Sequence, residues 1–204
     1  MSNNNNTAEA APLHGDELGL AHRCAAGDRA AQRQIFQAHK ARVHATLYRI
    51  LGSNRDVEDL VQESFLQIFR SMRSYRGEAK LATWVSRISA RVAYAYLSRR
   101  RVSTVRLESV PDAPADDPDA EAQLMAREAA RRLYDVLDRV EAKQRIAFAL
   151  HVIDGQPLRE VARITESSLV ATKSRVWRAR REIDKRARRD PLLARYLQPE
   201  EGEQ

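Results

Sequence analysis

A short stretch near the middle of this chain constrains its fold more than any other feature. Between Leu107 and Ala122 stand six acids (Glu108, Asp112, Asp116, Asp117, Asp119 and Glu121), no base, and the prolines Pro111, Pro114 and Pro118. Proline fixes φ and withholds a backbone N–H, while like charges extend a chain, so no packed element is expected there. The stretch leaves two blocks that must each build a core. Residues 104–123 are read as a flexible linker between a front domain, 16–103, and a back domain, 124–190. Tails are expected at 1–15 and 191–204.

Both domains are expected to be small and all-α. The chain has only 7 Gly and 7 Pro in 204 residues, so the rest is rich in good helix formers. At 43% apolar and 31% charged residues it is too apolar for a disordered chain. No apolar run approaches the roughly 20 residues that cross a bilayer, so no membrane insertion is expected. Met1 to Ala11 lacks the basic-then-apolar pattern of a secretory signal. The single cysteine, Cys24, cannot pair internally and fits a reducing compartment. His22 lies beside it, but no second pair has zinc-site spacing, so neither a metal nor a cofactor is expected.

The front block reads as three helical patterns. Asp28 to Leu51 carries Ile35, Phe36, Val43, Leu47 and Ile50, and Gly52-Ser53-Asn54 stops it. Asp56 to Met72 places Val57, Val61, Phe65, Ile68 and Met72 on one stripe and Asp56, Asp59 and Glu63 opposite. Ala82 to Leu97 is the third, followed by Arg99, Arg100 and Arg101. The acidic face admits three uses: docking a basic partner, sharing a divalent cation, or meeting solvent at a helix start whose dipole favours acids. The stretch Tyr75 to Trp84 mixes rings, bases and Gly77, a composition that suits single-stranded nucleic acid or a packed core.

The back block reads as Gln123–Val140 and Ala142–Ile153, then a turn at Asp154-Gly155-Gln156-Pro157, a short helix Leu158–Ile164, a turn Thr165–Ser168, and a longer helix from Leu169 to about Arg186. Short helix, tight turn and longer basic helix make a helix-turn-helix. Gln156 to Arg189 holds 11 bases and 4 acids, a net +7 equal to that of the whole chain. Leu169, Val176, Ala179 and Ile183 share the core side, while Lys173, Ser174, Trp177, Arg178 and Arg181 lie opposite. A basic face at a helix start suits a DNA groove, with Ser167 or Ser168 capping the helix and aiming N–H groups at a phosphate.

These segments, in this order, resemble the extracytoplasmic-function (ECF) sigma factors of the sigma-70 family over about residues 28–188. The motifs that carry the resemblance are Asp56-Val57-Glu58-Asp59-Leu60-Val61-Gln62-Glu63-Ser64-Phe65, Tyr75-Arg76-Gly77-Glu78-Ala79 and Thr83-Trp84-Val85-Ser86-Arg87-Ile88, similar to regions 2.2 and 2.3. Lys173-Ser174-Arg175-Val176-Trp177-Arg178-Ala179-Arg180 is similar to region 4.2. The resemblance implies promoter-specific initiation with core RNA polymerase, in the cytoplasm and without catalysis by the chain itself.

The resemblance also implies site residues. Asp56, Glu58, Asp59, Gln62 and Glu63 would dock on the clamp helices of the polymerase β′ subunit, with a second contact to the β flap. Tyr75, Arg76, Lys80, Thr83, Trp84, Arg87, Arg91, Arg99 and Arg100 would read and melt the −10 element and hold an extruded non-template base. Arg159, Ser167, Ser168, Val170, Thr172, Lys173, Ser174, Arg175 and Arg178 would read the −35 duplex. An anti-sigma partner is a further implication. Arg91 stands where the family commonly has Asn, and the turn Thr165-Glu166-Ser167 lacks the glycine often found there.

Two rival readings make different demands. A helix-turn-helix regulator would bind duplex operator without polymerase, and the front block argues against it. A magnesium-dependent nucleotide hydrolase built on Asp56, Asp59 and Glu63 needs a second carboxylate cluster and a phosphate-cradling loop. The sequence offers only isolated acids such as Asp28 and Glu78.

Overall fold

The computed structural model describes residues 15–53, 55–100 and 120–197. They form nine α-helices and no strand: α1 Gly15–Ala25, α2 Arg29–Leu51, α3 Val57–Ser71, α4 Leu81–Arg100, α5 Ala120–Leu137, α6 Ala142–Phe148, α7 Leu158–Ile164, α8 Leu169–Ala187 and α9 Pro191–Leu197. A 3₁₀ turn, Met72–Ser74, follows α3, and a π turn, Ala149–Ile153, extends α6. Most of the predicted linker lies outside the described residues, but its end, from Ala120, is already α5.

Local chemistry sets most boundaries. Asp28 caps α2, its carboxylate accepting from the N–H groups of Ala30 (2.8 Å) and Ala31 (3.2 Å). Gly52 ends the helix at φ 75°, a left-handed conformation that glycine adopts without a Cβ penalty. In α3 the predicted stripe is the buried one: Val57, Val61, Phe65 and Ile68 face inward, and Met72 continues the row. Each such side chain contributes about 2 kcal/mol of burial free energy. In α4, Val85, Ile88, Val92 and Leu97 complete the packing of the front helices.

Two helices exceed the sequence reading. The first, α1, lies across α2 and the 3₁₀ turn. Its Glu17 carboxylate accepts from Leu81 N at 2.8 Å, capping α4 from a distance, and from the Tyr75 hydroxyl at 3.1 Å. The second, α9, stands within the predicted C-terminal tail. Asp190 caps it through the N–H groups of Leu192 and Leu193, and Leu193 is buried against α5 and α8.

The back helices pack onto the front ones. Ile146, Leu150, Val161, Ile164 and Val176 join the apolar cluster of α2, α3 and α4, while Val136, Leu137, Phe148, Ile183 and Leu193 form a smaller core of their own. At the junction Arg145 is 1% exposed and donates to the carbonyls of Ile50 (2.7 Å) and Leu51 (2.8 Å) and to the Asp138 carboxylate. The Tyr134 ring lies against Gly52, where a Cβ would meet it at 2.2 Å. Its hydroxyl donates to Arg49 O at 2.8 Å, and burial pushes its pKa up to about 12, so the donor keeps its proton.

Candidate functional site

Three surfaces carry the predicted site residues. The first is the outer face of α3. Glu58, Asp59 and Gln62 are exposed, and Glu63 is half-exposed, accepting from the Gln67 amide at 2.8 Å. Leu66 extends the face with an apolar side chain 50% exposed. Asp56 stands apart. It is half-buried and accepts the Tyr96 hydroxyl at 2.5 Å, so it ties α3 to α4. Among the described residues no group of three or more His, Cys, Asp or Glu side chains converges as a metal site would.

The second surface runs from the 3₁₀ turn along α4. A cleft of about 310 Å³ opens there, lined by Tyr75, Arg76, Glu78, Trp84 and Arg87. Trp84 is half-buried, edge-on to Tyr75 with centroids 5.6 Å apart. Tyr75 is 3% exposed, and its hydroxyl is held by Glu17 and by Ala79 O (2.8 Å). Its ring forms the cleft floor rather than a free stacking face. Burial, reinforced by Glu17, raises its pKa, so it remains a donor. Among the described residues Arg87 Nε is buried without a hydrogen-bond partner, at the cleft wall. Arg76, Lys80 and Arg99 are exposed, whereas the side chain of Arg100 lies outside the described residues.

The third surface is the start and outer face of α8. Ser168 is the cap, its Oγ accepting from Ala171 N at 3.1 Å. Ser167 instead bonds the Thr165 (2.9 Å) and Thr172 (2.8 Å) hydroxyls. Val170 is 78% exposed, Lys173, Trp177 and Arg178 are exposed, and Arg181 stacks over the Trp177 ring at 5.3 Å. Arg159 is exposed on α7, and Ser174 and Arg175 are half-buried. Thr172 departs from its predicted role. It is fully buried, its hydroxyl donating to Ser168 O at 3.0 Å, and it locks the turn instead of facing a groove.

Sequence reasoning missed the two acids, Glu160 and Glu166, that join the second surface to the third. Glu166, in the turn, adopts φ 48°. Its carboxylate takes Arg91 through Nε at 3.1 Å and through Nη2, and lies 3.3 Å from Arg87 Nη1. Glu160 on α7 accepts the Thr83 hydroxyl at 2.6 Å. The one sequence signal was the turn itself, where a glutamate replaces the expected glycine.

A helical unit with an exposed acidic face and an arginine-lined cleft, followed by a helix-turn-helix unit, fits the class of sigma-type initiation factors. The Sigma-70 region 2 family model matches residues 35–102, and the Sigma-70, region 4 model matches residues 130–183. The chain is 30% identical over 166 residues to the ECF RNA polymerase sigma factor SigE of Mycolicibacterium smegmatis, covering 78% of this chain and 63% of that protein. It is 27% identical over 190 residues to the ECF RNA polymerase sigma-E factor of Haemophilus influenzae, covering 87% and 97%. In fold it is similar to CnrH, solved with the cytosolic domain of CnrY (TM-score 0.58, 22% identity, 85% of this chain and 97% of that one). It is also similar to the Bartonella quintana sigma factor RpoE, solved with the anti-sigma factor NepR (TM-score 0.55, 23% identity, 78% and 97%). The chain belongs to the sigma-70 family and, within it, to the ECF sigma factors.

Proposed function

We propose that this chain gives core RNA polymerase its choice of promoter, docking through α3, taking the melted −10 strand on α4 and reading the −35 duplex with α8. The observation that carries the reading is the cleft below α4. An extruded base needs an apolar wall and a polar edge to recover the few kcal/mol lost on leaving the stack. Trp84 over Tyr75 offers the wall, and the unmet Arg87 Nε offers the donor. Arg76 lines the cleft, and it and the exposed Lys80 suit the phosphates of the strand. Chemistry stays with the polymerase, and the cytoplasm is where the two meet. Among the described residues no helix is long and apolar enough to cross a membrane. The fold neighbours solved with CnrY and with an anti-sigma factor support a similar inhibitory partner for this chain.

On α8 the exposed Lys173 and Arg178, with the half-buried Arg175, supply the charge and reach for the major groove. The test is transcription in vitro with core enzyme on a library of genomic fragments. Discrete start sites that share two upstream elements are expected, and no chain-dependent transcripts would reject the reading. On a promoter so found, Arg175→Ala or Arg178→Ala is expected to weaken holoenzyme binding by roughly 1–3 kcal/mol at fixed salt if it contacts a base edge. Unchanged binding in both variants would move the −35 face elsewhere.

A further inference from the structure

We infer that the crevice between α4 and the back helices is a binding site for a small aromatic carboxylate, held by Arg175 and Lys143 against the ring of Tyr94. The cavity is about 260 Å³, with α4 on one side and α6, the end of α7 and α8 on the other. Its apolar lining is Ala90, Ile146 and Ile164, all of them buried.

The charge of the lining is unbalanced. Arg91, Lys143 and Arg175 face the crevice with one acid, Glu166. That acid is already engaged: its carboxylate accepts from Arg91 Nε at 3.1 Å and lies 3.3 Å from Arg87 Nη1. Two cations are left without an anion. Lys143 has the ring of Tyr94, its Nζ 5.6 Å from the centroid. Arg175 is half-buried, and among the described residues no hydrogen bond or ion pair engages it. An arginine drawn out of water is ordinarily paired. A carboxylate is the small anion whose two oxygens match the guanidinium fork.

The walls define the rest of the ligand. Ligand cavities commonly run from about 300 to 1,000 Å³, so this one suits a single ring with one charged group better than a nucleotide. Tyr94 is 38% exposed where it lines the crevice. An aryl ring set against it gains from ring–ring contact as well as from burial. An aliphatic acid would leave the Tyr94 ring wet, and a neutral ring would leave both cations unmatched. The site also spans two surfaces, because Arg91 and Arg175 stand on opposite walls. A carboxylate on Arg175 withholds that side chain from the −35 duplex, a consequence that rests on the promoter reading. The site itself does not.

The test titrates the isotope-labelled full chain with benzoate and follows its amide signals. Acetate and benzyl alcohol serve as the charge-only and ring-only probes. Benzoate is expected to shift the signals of Ala90, Tyr94, Ile146 and Arg175 along one saturable curve. For so small a ligand the dissociation constant should be on the order of 1 mM. Arg175→Gln is expected to weaken benzoate about tenfold, through loss of a charge-assisted pair. Tyr94→Ala is expected to weaken it about fivefold. Acetate and benzyl alcohol, each lacking one of those contacts, should bind correspondingly worse than benzoate. Arg180→Gln removes the same charge from an exposed position of α8 outside the crevice and is expected to leave the curve unchanged.

Equal affinities for benzoate and acetate would reduce the crevice to a charged patch and overturn the proposal. So would shifts scattered along α8 that Arg175→Gln and Arg180→Gln diminish alike. Tyr94→Ala alters an exposed side chain, so undiminished benzoate binding by that variant overturns the proposal whether or not Arg175→Gln folds. A fragment library yielding no transcripts would reject the promoter reading alone, because binding is measured without polymerase or DNA.

Discussion

Asp59→Arg combined with Glu63→Arg is expected to abolish association with core polymerase while the chain stays folded. The double variant turns two negative charges into two positive ones on the outer face of α3, where Asp59 is exposed and Glu63 half-exposed. Against a basic partner helix, each reversed contact becomes a like-charge juxtaposition, which costs several kcal/mol. Two such contacts weaken binding by at least about a thousandfold, since 1.4 kcal/mol is a factor of ten. The fold has little at stake. Neither side chain belongs to the buried stripe of Val57, Val61, Phe65 and Ile68, and Arg is a good helix former. Placing positive charge in the first turn costs up to about 1 kcal/mol against the helix dipole. The Glu63–Gln67 hydrogen bond is also lost. Co-purification with core enzyme, beside a far-ultraviolet spectrum of each variant, checks the result. Undiminished co-purification of the folded variant would remove α3 as the docking face.

The same separation of surface from core explains what the sequence made legible. α2, α3 and the α7–turn–α8 unit were readable because their signals are local: Asp28 and Ser168 as caps, Gly52 and Gly155 as stops, and stripes at three- and four-residue spacing. α9 was also readable in principle, since Asp190-Pro191 is a cap followed by proline at the first helical position. α1 was not. It is short, contains Gly19, and owes much of its place to Glu17, whose partners are more than 50 residues away.

The site divides in the same way. The exposed acids of α3 and the bases of α8 lie where the helical period puts them. Thr172 could have been set aside on that count, since it precedes Val176 by one turn and so shares the core side. Tyr75 could not, because its burial depends on α1. The contacts between units link residues 75 to 95 positions apart. No periodicity reports such pairs. Arg91 read as a ligand for DNA, and nothing in the local pattern set Arg145, Glu160 or Glu166 apart from other charged helix and turn positions.

Arg145 carries the second large effect. Replacing it with Met keeps much of the side-chain length and apolar packing but removes every donor. The carbonyls of Ile50 and Leu51 are then left without the partner that the folded junction supplies. Each unsatisfied buried acceptor costs about 1–3 kcal/mol, so a loss of about 3 kcal/mol is expected. Asp138 adds less, because its carboxylate is 36% exposed and water can replace the arginine. Lys is not a remedy: one ammonium on a flexible stem cannot serve two carbonyls and a carboxylate as a planar fork does. Arg145→Lys should therefore recover less than half of the loss. Two experiments separate the possible forms of the penalty. If the domains stay together, the urea midpoint falls by the full amount. If they part, water reaches both carbonyls, the midpoint falls less, and amide exchange rises selectively along α6 and the end of α2. Either response identifies Arg145 as one of the bonds that hold the units together. A midpoint and an exchange pattern both unchanged would show that the two carbonyls never depended on it.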